Sequence, residues 1–158
     1  MTTQKIYNEP ITWKCQRFDE LSTLELYKIL KLRNEVFVVE QNCPYQDCDG
    51  KDIDAFHFSG WITNELVAYT RLLPPGISYE DAASIGRVVT SPTIRRQKAG
   101  KELMSLSIEK TRELFRNTPI KIGAQLYLKK FYESFSFIQI DEGYLEDGIP
   151  HITMKLDS

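Results

Sequence analysis

The sequence predicts a mixed α/β sheet built as a single domain over residues 1–158. Three observations carry this. Short runs of alternating or β-branched composition recur along the chain. Two longer stretches carry an apolar period near 3.6 residues. Some strand-like runs are separated by helices, which favours parallel neighbours, while others follow across tight turns, which favours antiparallel ones. A chain of 158 residues buries a core without covalent staples.

Taken in order, "ITWKCQRF" (11–18) alternates and reads as a strand. "LSTLELYKILKLRNEVFVVEQ" (21–41) reads as a helix, opened by a capping box of Ser22 and Glu25. Leu26, Ile29, Leu30 and Arg33 fall on one side of it, continued by Val36 and Phe37. "NCPYQDCDGKDID" (42–54) is a polar loop rich in Asp. Residues 55–62 and 65–73 form a hairpin around Thr63-Asn64, and 74–82 is a loop. Residues 83–91 are a strand, and 98–116 an amphipathic helix with Leu103, Met104, Ile108, Thr111 and Phe115 on one face. A buried strand (120–125), a shorter helix (126–135) and two strands (136–148 and 149–156) joined across Glu146-Asp147-Gly148 close the chain.

Composition narrows the function. Formal net charge is −2, so no overall field calls for nucleic acid or an anionic membrane, and an anion site has to be local. The first residues contain no apolar signal core, so a cytoplasmic location is expected. The odd set Cys15, Cys43 and Cys48 reads as free thiols rather than a disulfide framework or a zinc site.

One local site stands out in "TSPTIRRQKAGKE" (90–102). Arg95, Arg96 and Lys98 flank the start of a helix, whose first N–H groups lack intrahelical partners and attract anions. Ala99 and Gly100 are small enough for an anion to reach the backbone. The spacing is neither a P-loop nor a GxGxxG fingerprint.

The stretch resembles the phosphate-binding motif of the GNAT superfamily of N-acetyltransferases: Arg or Gln, two variable residues, Gly, one variable residue, then Gly or Ala. Arg95 and Gly100 fit, while Lys98 stands where the motif usually has Gly. "GAQLYLKKFYESFSF" (123–137) resembles the family's later strand-helix motif, with Phe131, Tyr132 and Phe137 in place and Ser136 replacing the usual Gly. "LRNEVFVVEQNCPYQDCDGKDIDAFH" (32–57), "IGRVV" (85–89) and "EDGIPHI" (146–152) extend the resemblance over most of the chain, to the ElaA-like branch.

The resemblance implies a central mixed, mostly antiparallel sheet with a splayed parallel strand pair, flanked by helices. It implies acetyl-CoA as co-substrate, a primary amine as acceptor, no metal, and direct attack in a ternary complex. Arg95, Arg96, Gln97, Lys98, Ala99, Gly100 and Lys101 would hold the pyrophosphate, and Val88, Val89 and Thr90 the pantetheine arm. Tyr132 would lie against the coenzyme as general acid, and the Val88 or Val89 N–H would face the oxyanion. Glu40, Gln41 and His151 are the expected acceptor wall.

The base is open among Glu40, Asp49, Asp52 and His151, because "SIGRVVT" carries no carboxylate. Asp47, Asp49, Asp52 and Asp54 would suit a cationic acceptor. They lack the EF-hand spacing, which argues against calcium. His57 in its strand, and Arg33 and Arg87 beside apolar residues, read as structural, the arginines pairing with the acidic loop. The missing strand carboxylate leaves a second function open, a non-catalytic acyl-CoA-binding sensor. A nucleic-acid site made of Arg95, Arg96 and Lys98 lacks interleaved aromatics. Monomer and homodimer are both compatible with the sequence.

Overall fold

The computed structural model describes residues 9–95 and 98–158. Strands β1 (Thr12–Arg17), β2 (Phe56–Ile62), β3 (Glu65–Leu73), β4 (Ala83–Thr90), β5 (Ile120–Gln125), β6 (Ile138–Gln139), β7 (Tyr144–Glu146) and β8 (Ile149–Leu156) form one sheet. Their order is β1-β2-β3-β4-β5-β8-β6, with β7 also paired to β8. Every pairing is antiparallel except β4–β5. That parallel pair joins only at Ala83–Ile120 and Ser84–Lys121 and then parts. The expected splayed sheet is the observed one.

Helices cover both faces. α1 (Thr23–Arg33) lays Ile29 and Leu32 on one face, against Trp61, Leu66, Tyr69 and Val89. Its capping box forms as predicted: Ser22 Oγ accepts from the Glu25 N–H at 3.0 Å, and the Glu25 carboxylate accepts from the Ser22 N–H at 2.9 Å. α2 (Ala99–Leu114) buries Leu103, Met104 and Ile108 on the other face, against Phe58, Ala68, Leu72 and Ile85. Buried Ser107 on the same side meets Thr70 of β3 at 2.7 Å, so a polar pair inside the core is satisfied.

Three expectations are corrected. The helix expected over 21–41 is α-helical only to Arg33 and continues as a π-helix over Asn34–Glu40. The wider turn changes the side-chain register after Arg33, and Val36, Phe37 and Glu40 line the cleft described below. The helix expected over 126–135 is a 3-10 turn (Leu126–Leu128) and one short helix, α3 (Lys129–Glu133). The strand expected over 136–148 is broken into β6 and β7, with Gly143 at φ 99° between them.

α3 ends in a Schellman motif. The Phe137 N–H bonds to the Tyr132 carbonyl at 3.3 Å and the Ser136 N–H to the Glu133 carbonyl at 2.9 Å. Ser136 takes the left-handed conformation, φ 73°, that this motif demands. Lys98, the N-cap of α2, is also left-handed at φ 59°. Both positions are those where the resembled motifs carry Gly, which adopts such angles at no steric cost. Ser136→Gly is therefore expected to raise unfolding stability by up to about 1 kcal/mol, the relieved strain exceeding the glycine entropy. Chemical denaturation measures it, and a loss of stability would contradict this account of the cap.

Candidate active site

The parting of β4 from β5 opens a cleft of about 820 Å³. β4 carries a bulge at this place. Tyr69 of β3 pairs with Val89 and Arg71 with Gly86, so two β4 residues, Arg87 and Val88, oppose the single residue Thr70. Arg87 absorbs the extra length at φ 50°. Past Ser84, no strand among the described residues pairs with β4 on its β5 side, which leaves that edge open to an extended ligand. Val88, Val89 and Thr90 line the gap.

One end of the cleft is lined by Thr90 and Arg95, and a few residues further along the chain α2 begins. Its N-cap is Lys98, whose side chain offers no acceptor, and the first helical bond comes only from Glu102 to the Lys98 carbonyl. The N–H groups before Glu102 have no side-chain cap. A methyl group on Gly100 would meet nothing within 4 Å, so space stands open over this turn. Arg96 and Gln97 lie outside the described residues. Arg95 lines the cleft, but both its terminal nitrogens bond to the Glu40 carboxylate, one at 2.9 Å. Glu40 thus sits with the phosphate-side Arg95 rather than free on the acceptor wall. Arg95 first, then its charge, draws the Glu40 carboxyl below its ordinary pKa, against slight burial.

Tyr132 lines the middle of the cleft and is 6 % exposed. The Schellman bonds hold its backbone, and its ring meets Phe137 edge-on at 6.1 Å. Among the described residues nothing hydrogen-bonds its hydroxyl, and that oxygen is not sealed from solvent. Burial, with a smaller push from Tyr127, raises the phenol to about 12.

The far end is walled by the loop after the π-helix and by the β7–β8 hairpin. Asp47, Asp49 and Asp52 do not present free charge. Arg33, fully buried, donates to Asp47 at 2.9 Å and to Asp52 at 2.8 Å. Arg71 grips Asp49 through two parallel bonds of 2.8 and 2.9 Å and reaches Asp52 at 3.0 Å. Arg87 donates to Asp47 at 2.8 Å and to Asp49 at 3.3 Å. These three carboxylates are neutralised by three guanidinium groups, so the expectation that they attract a cationic acceptor does not hold. Arg33 and Arg87 pair with the loop as expected. The part played by Arg71 was not visible in its strand "ELVAYTRLL", because only the assembled sheet sets it under the loop.

His57 is structural. Its Nε2–H donates to the Asp52 carbonyl at 2.9 Å, so its Nδ1 accepts from the Tyr69 hydroxyl at 2.7 Å. Burial lowers its pKa and keeps it neutral.

Gln41 and His151 both line the cleft. The Gln125 amide at the end of β5 donates to the Gln41 side chain at 3.3 Å, linking the two walls. The hairpin turns through Asp147 (φ 49°) and Gly148 (φ 79°), and its register sets Tyr144 opposite His151 and Glu146 opposite Ile149. The rings of Tyr144 and His151 stack at 5.8 Å. Glu146, Tyr144 and Tyr79 also line the cleft and were not singled out from the sequence. The Asp-Gly turn in "EDGIPHI" was the available signal, since its pairing puts Glu146 diagonally beside His151.

A sheet opened at a parallel pair, with an uncapped helix mouth at one end of the gap, is the architecture of the acyl-CoA N-acyltransferases. The chain belongs to the GNAT acetyltransferase family, within its ElaA-like branch: the acetyltransferase (GNAT) domain matches residues 33–158. It is 48% identical to protein ElaA of Escherichia coli over 146 residues, 91% of this chain and 95% of that protein. The crystal structure of E. coli ElaA superposes with a TM-score of 0.86 at 46% identity, covering 92% of this chain and 99% of that one. An acyl-CoA N-acyltransferase from Pseudomonas aeruginosa gives 0.88 at 42% identity, with the same coverage. An aminoglycoside 6'-N-acetyltransferase complexed with coenzyme A shares the fold, at a TM-score of 0.66 and 14% identity over 91% of this chain and 96% of that one.

Proposed function

We propose that this chain is an acetyl-CoA-dependent N-acetyltransferase that moves the acetyl group directly to a primary amine in a ternary complex. The observation that carries the reading is the cleft along the unpaired edge of β4, lined from Arg95, just ahead of α2, through Val88 to Thr90 and on to Tyr132.

On this reading the N–H groups of Ala99, Gly100 and Lys101 take the coenzyme's pyrophosphate, with the helix dipole behind them. Arg95 leaves Glu40 for the incoming phosphate. That exchange is cheap, because an exposed pair of this kind is worth about 0–1 kcal/mol. The pantetheine arm lies along Val88 to Thr90 as a false strand between β4 and β5. The Val88 or Val89 N–H stabilises the tetrahedral oxyanion. Tyr132 donates to the departing sulfur.

Titration calorimetry with coenzyme A and acetyl-CoA, followed by thiol release against a panel of amines, tests the proposal. No binding heat with either coenzyme would end it. Gly100→Ala sharpens the test. The added methyl meets no described atom within 4 Å beyond its chain neighbours and its own helix backbone, so folding stability is expected to hold or rise by about 0.4–1 kcal/mol. Coenzyme affinity is expected to fall about tenfold, or ~1.4 kcal/mol, as the methyl enters the phosphate seat. Unchanged affinity would move the pyrophosphate elsewhere.

The sensor reading keeps one specific observation: no residue of β4, "ASIGRVVT", supplies a carboxylate to the gap. It predicts coenzyme-dependent thermal stabilisation with no acetylated product from any amine.

A further inference from the structure

We infer that His151, with Glu146 beside it, is the group that takes the proton from the ammonium form of the acceptor, and that the hairpin carrying both is therefore the acceptor's reacting end. This rests on the transferase reading above.

The tautomer follows from the main chain. His151 Nδ1 lies 2.7 Å from the Ile149 carbonyl, which can only accept, so Nδ1 carries a hydrogen. In the neutral ring Nε2 then holds a lone pair. That nitrogen faces Glu146 Oε2 at 3.4 Å. Two lone pairs at this distance repel, and a proton placed on Nε2 turns the repulsion into an ion pair. The pair is thus built one proton short.

The ring is placed to receive that proton from the cleft. His151 is 8 % exposed and lines the cavity, as does Glu146. Two of the other carboxylates on the wall are engaged, and Asp147 sits in the turn of the same hairpin. Asp49 is held by Arg71 and Arg87, and Glu40 by Arg95. The titratable groups around the imidazole are Glu146 and stacked Tyr144 on β7 and Asp147 in the turn, with Tyr79 beyond Tyr144. Asp141, on the segment before β7, is engaged with the N–H groups of Gly143 and Thr153. Phenols are neutral near pH 7, so the nearest charge to the imidazole is the Glu146 carboxylate.

The step balances. An alkylammonium gives one proton to Nε2, and the imidazolium later returns it to solvent. The freed amine forms the C–N bond at the thioester carbon. Collapse breaks the C–S bond, and the second proton lost by nitrogen ends on the coenzyme thiolate. His151 contacts the amine, and Glu146 acts through it as a positioning residue.

The experiment compares the unaltered chain with His151→Gln and Glu146→Gln, using tyramine, cadaverine and lysine methyl ester as acceptors. Glu146 is exposed, so its variant keeps the fold even if His151→Gln does not. With the acceptor that gives the fastest thiol release, kcat/KM at pH 7 is expected to fall about 10²-fold in His151→Gln, with a smaller loss in Glu146→Gln. Coenzyme binding heat is expected to stay constant. The unaltered chain should show a plateau at pH values below the acceptor's own pKa. His151→Gln should instead climb tenfold per pH unit toward the acceptor's own pKa, since only free amine then reacts. Variant profiles that run parallel to the unaltered chain at every pH would overturn the proton-acceptor role and leave the transferase standing. No thiol release by the unaltered chain with any amine would overturn both.

Discussion

Tyr132→Phe is expected to lower the rate of acetyl transfer by about 10²–10³-fold while coenzyme affinity stays within about twofold. The substitution removes one oxygen that no described residue hydrogen-bonds, and it keeps the ring against Phe137. Neither the helix nor the core has reason to move. What is lost is the donor to the departing sulfur. Burial raises the phenol to about 12, which makes it a weak acid against an ordinary thiol near 8.5. The same water-poor cleft also raises the cost of a free thiolate, so the two pKa values approach one another during reaction. The active form is the protonated phenol, and it is lost only as pH rises through about 12. No alkaline fall assignable to Tyr132 is expected between pH 8 and about 10.5. Stopped-flow or steady-state thiol release measures both points. Undiminished turnover in the variant would remove Tyr132 from the chemistry.

Arg33→Met is expected to destabilise the fold by about 3–5 kcal/mol, because it removes a buried guanidinium that balances two largely buried carboxylates. For a domain of this length that corresponds to a fall in Tm of roughly 6–20 °C. The Arg33 side chain has no measurable exposure and serves both Asp47 and Asp52. The two acids are joined to the sheet from below by Arg71 and from the cleft by Arg87. Thermal melts and urea titration give the value, and a Tm within about 2 °C of the unaltered chain would show the cluster to be idle. Acid has a related effect. Burial alone would raise the Asp49 carboxyl, but the Arg71 fork outweighs it and holds it down to about 2. The folded pKa lies below the unfolded value near 3.9, so the stabilisation is full above about pH 4 and is lost as pH falls toward 2.

Much of the sheet was legible because its signals are local. The Ser22–Glu25 box, the Thr63-Asn64 hairpin and the Asp147-Gly148 turn each act within a few residues, and each forms where the sequence puts it. The α2 face was legible for the same reason. The arginine cluster was only half legible. Arg33 lies 14 residues from Asp47, Arg71 22 from Asp49 and Arg87 40 from Asp47, and no periodicity encodes such distances. The Glu40–Arg95 pair was hidden on the same ground, since its partners lie 55 residues apart. The π-turn after Arg33 was hidden because "NEVFVVE" keeps an apolar pattern that an α-helix also satisfies. The positive φ of Lys98 and Ser136 could be suspected only from the glycines of the motifs they resemble.

The cleft is unequal in stiffness from end to end. Under the loop after the π-helix three guanidinium groups from three elements fasten one short segment, and a change there unbalances several charges together. The β7–β8 tip lies outside that web; Cys43 Sγ reaches its Asp147 carbonyl at 3.6 Å. An exchange of exposed side chains around that two-residue bend therefore leaves the ionic frame untouched, whereas a change under the loop loads every arginine of the frame at once.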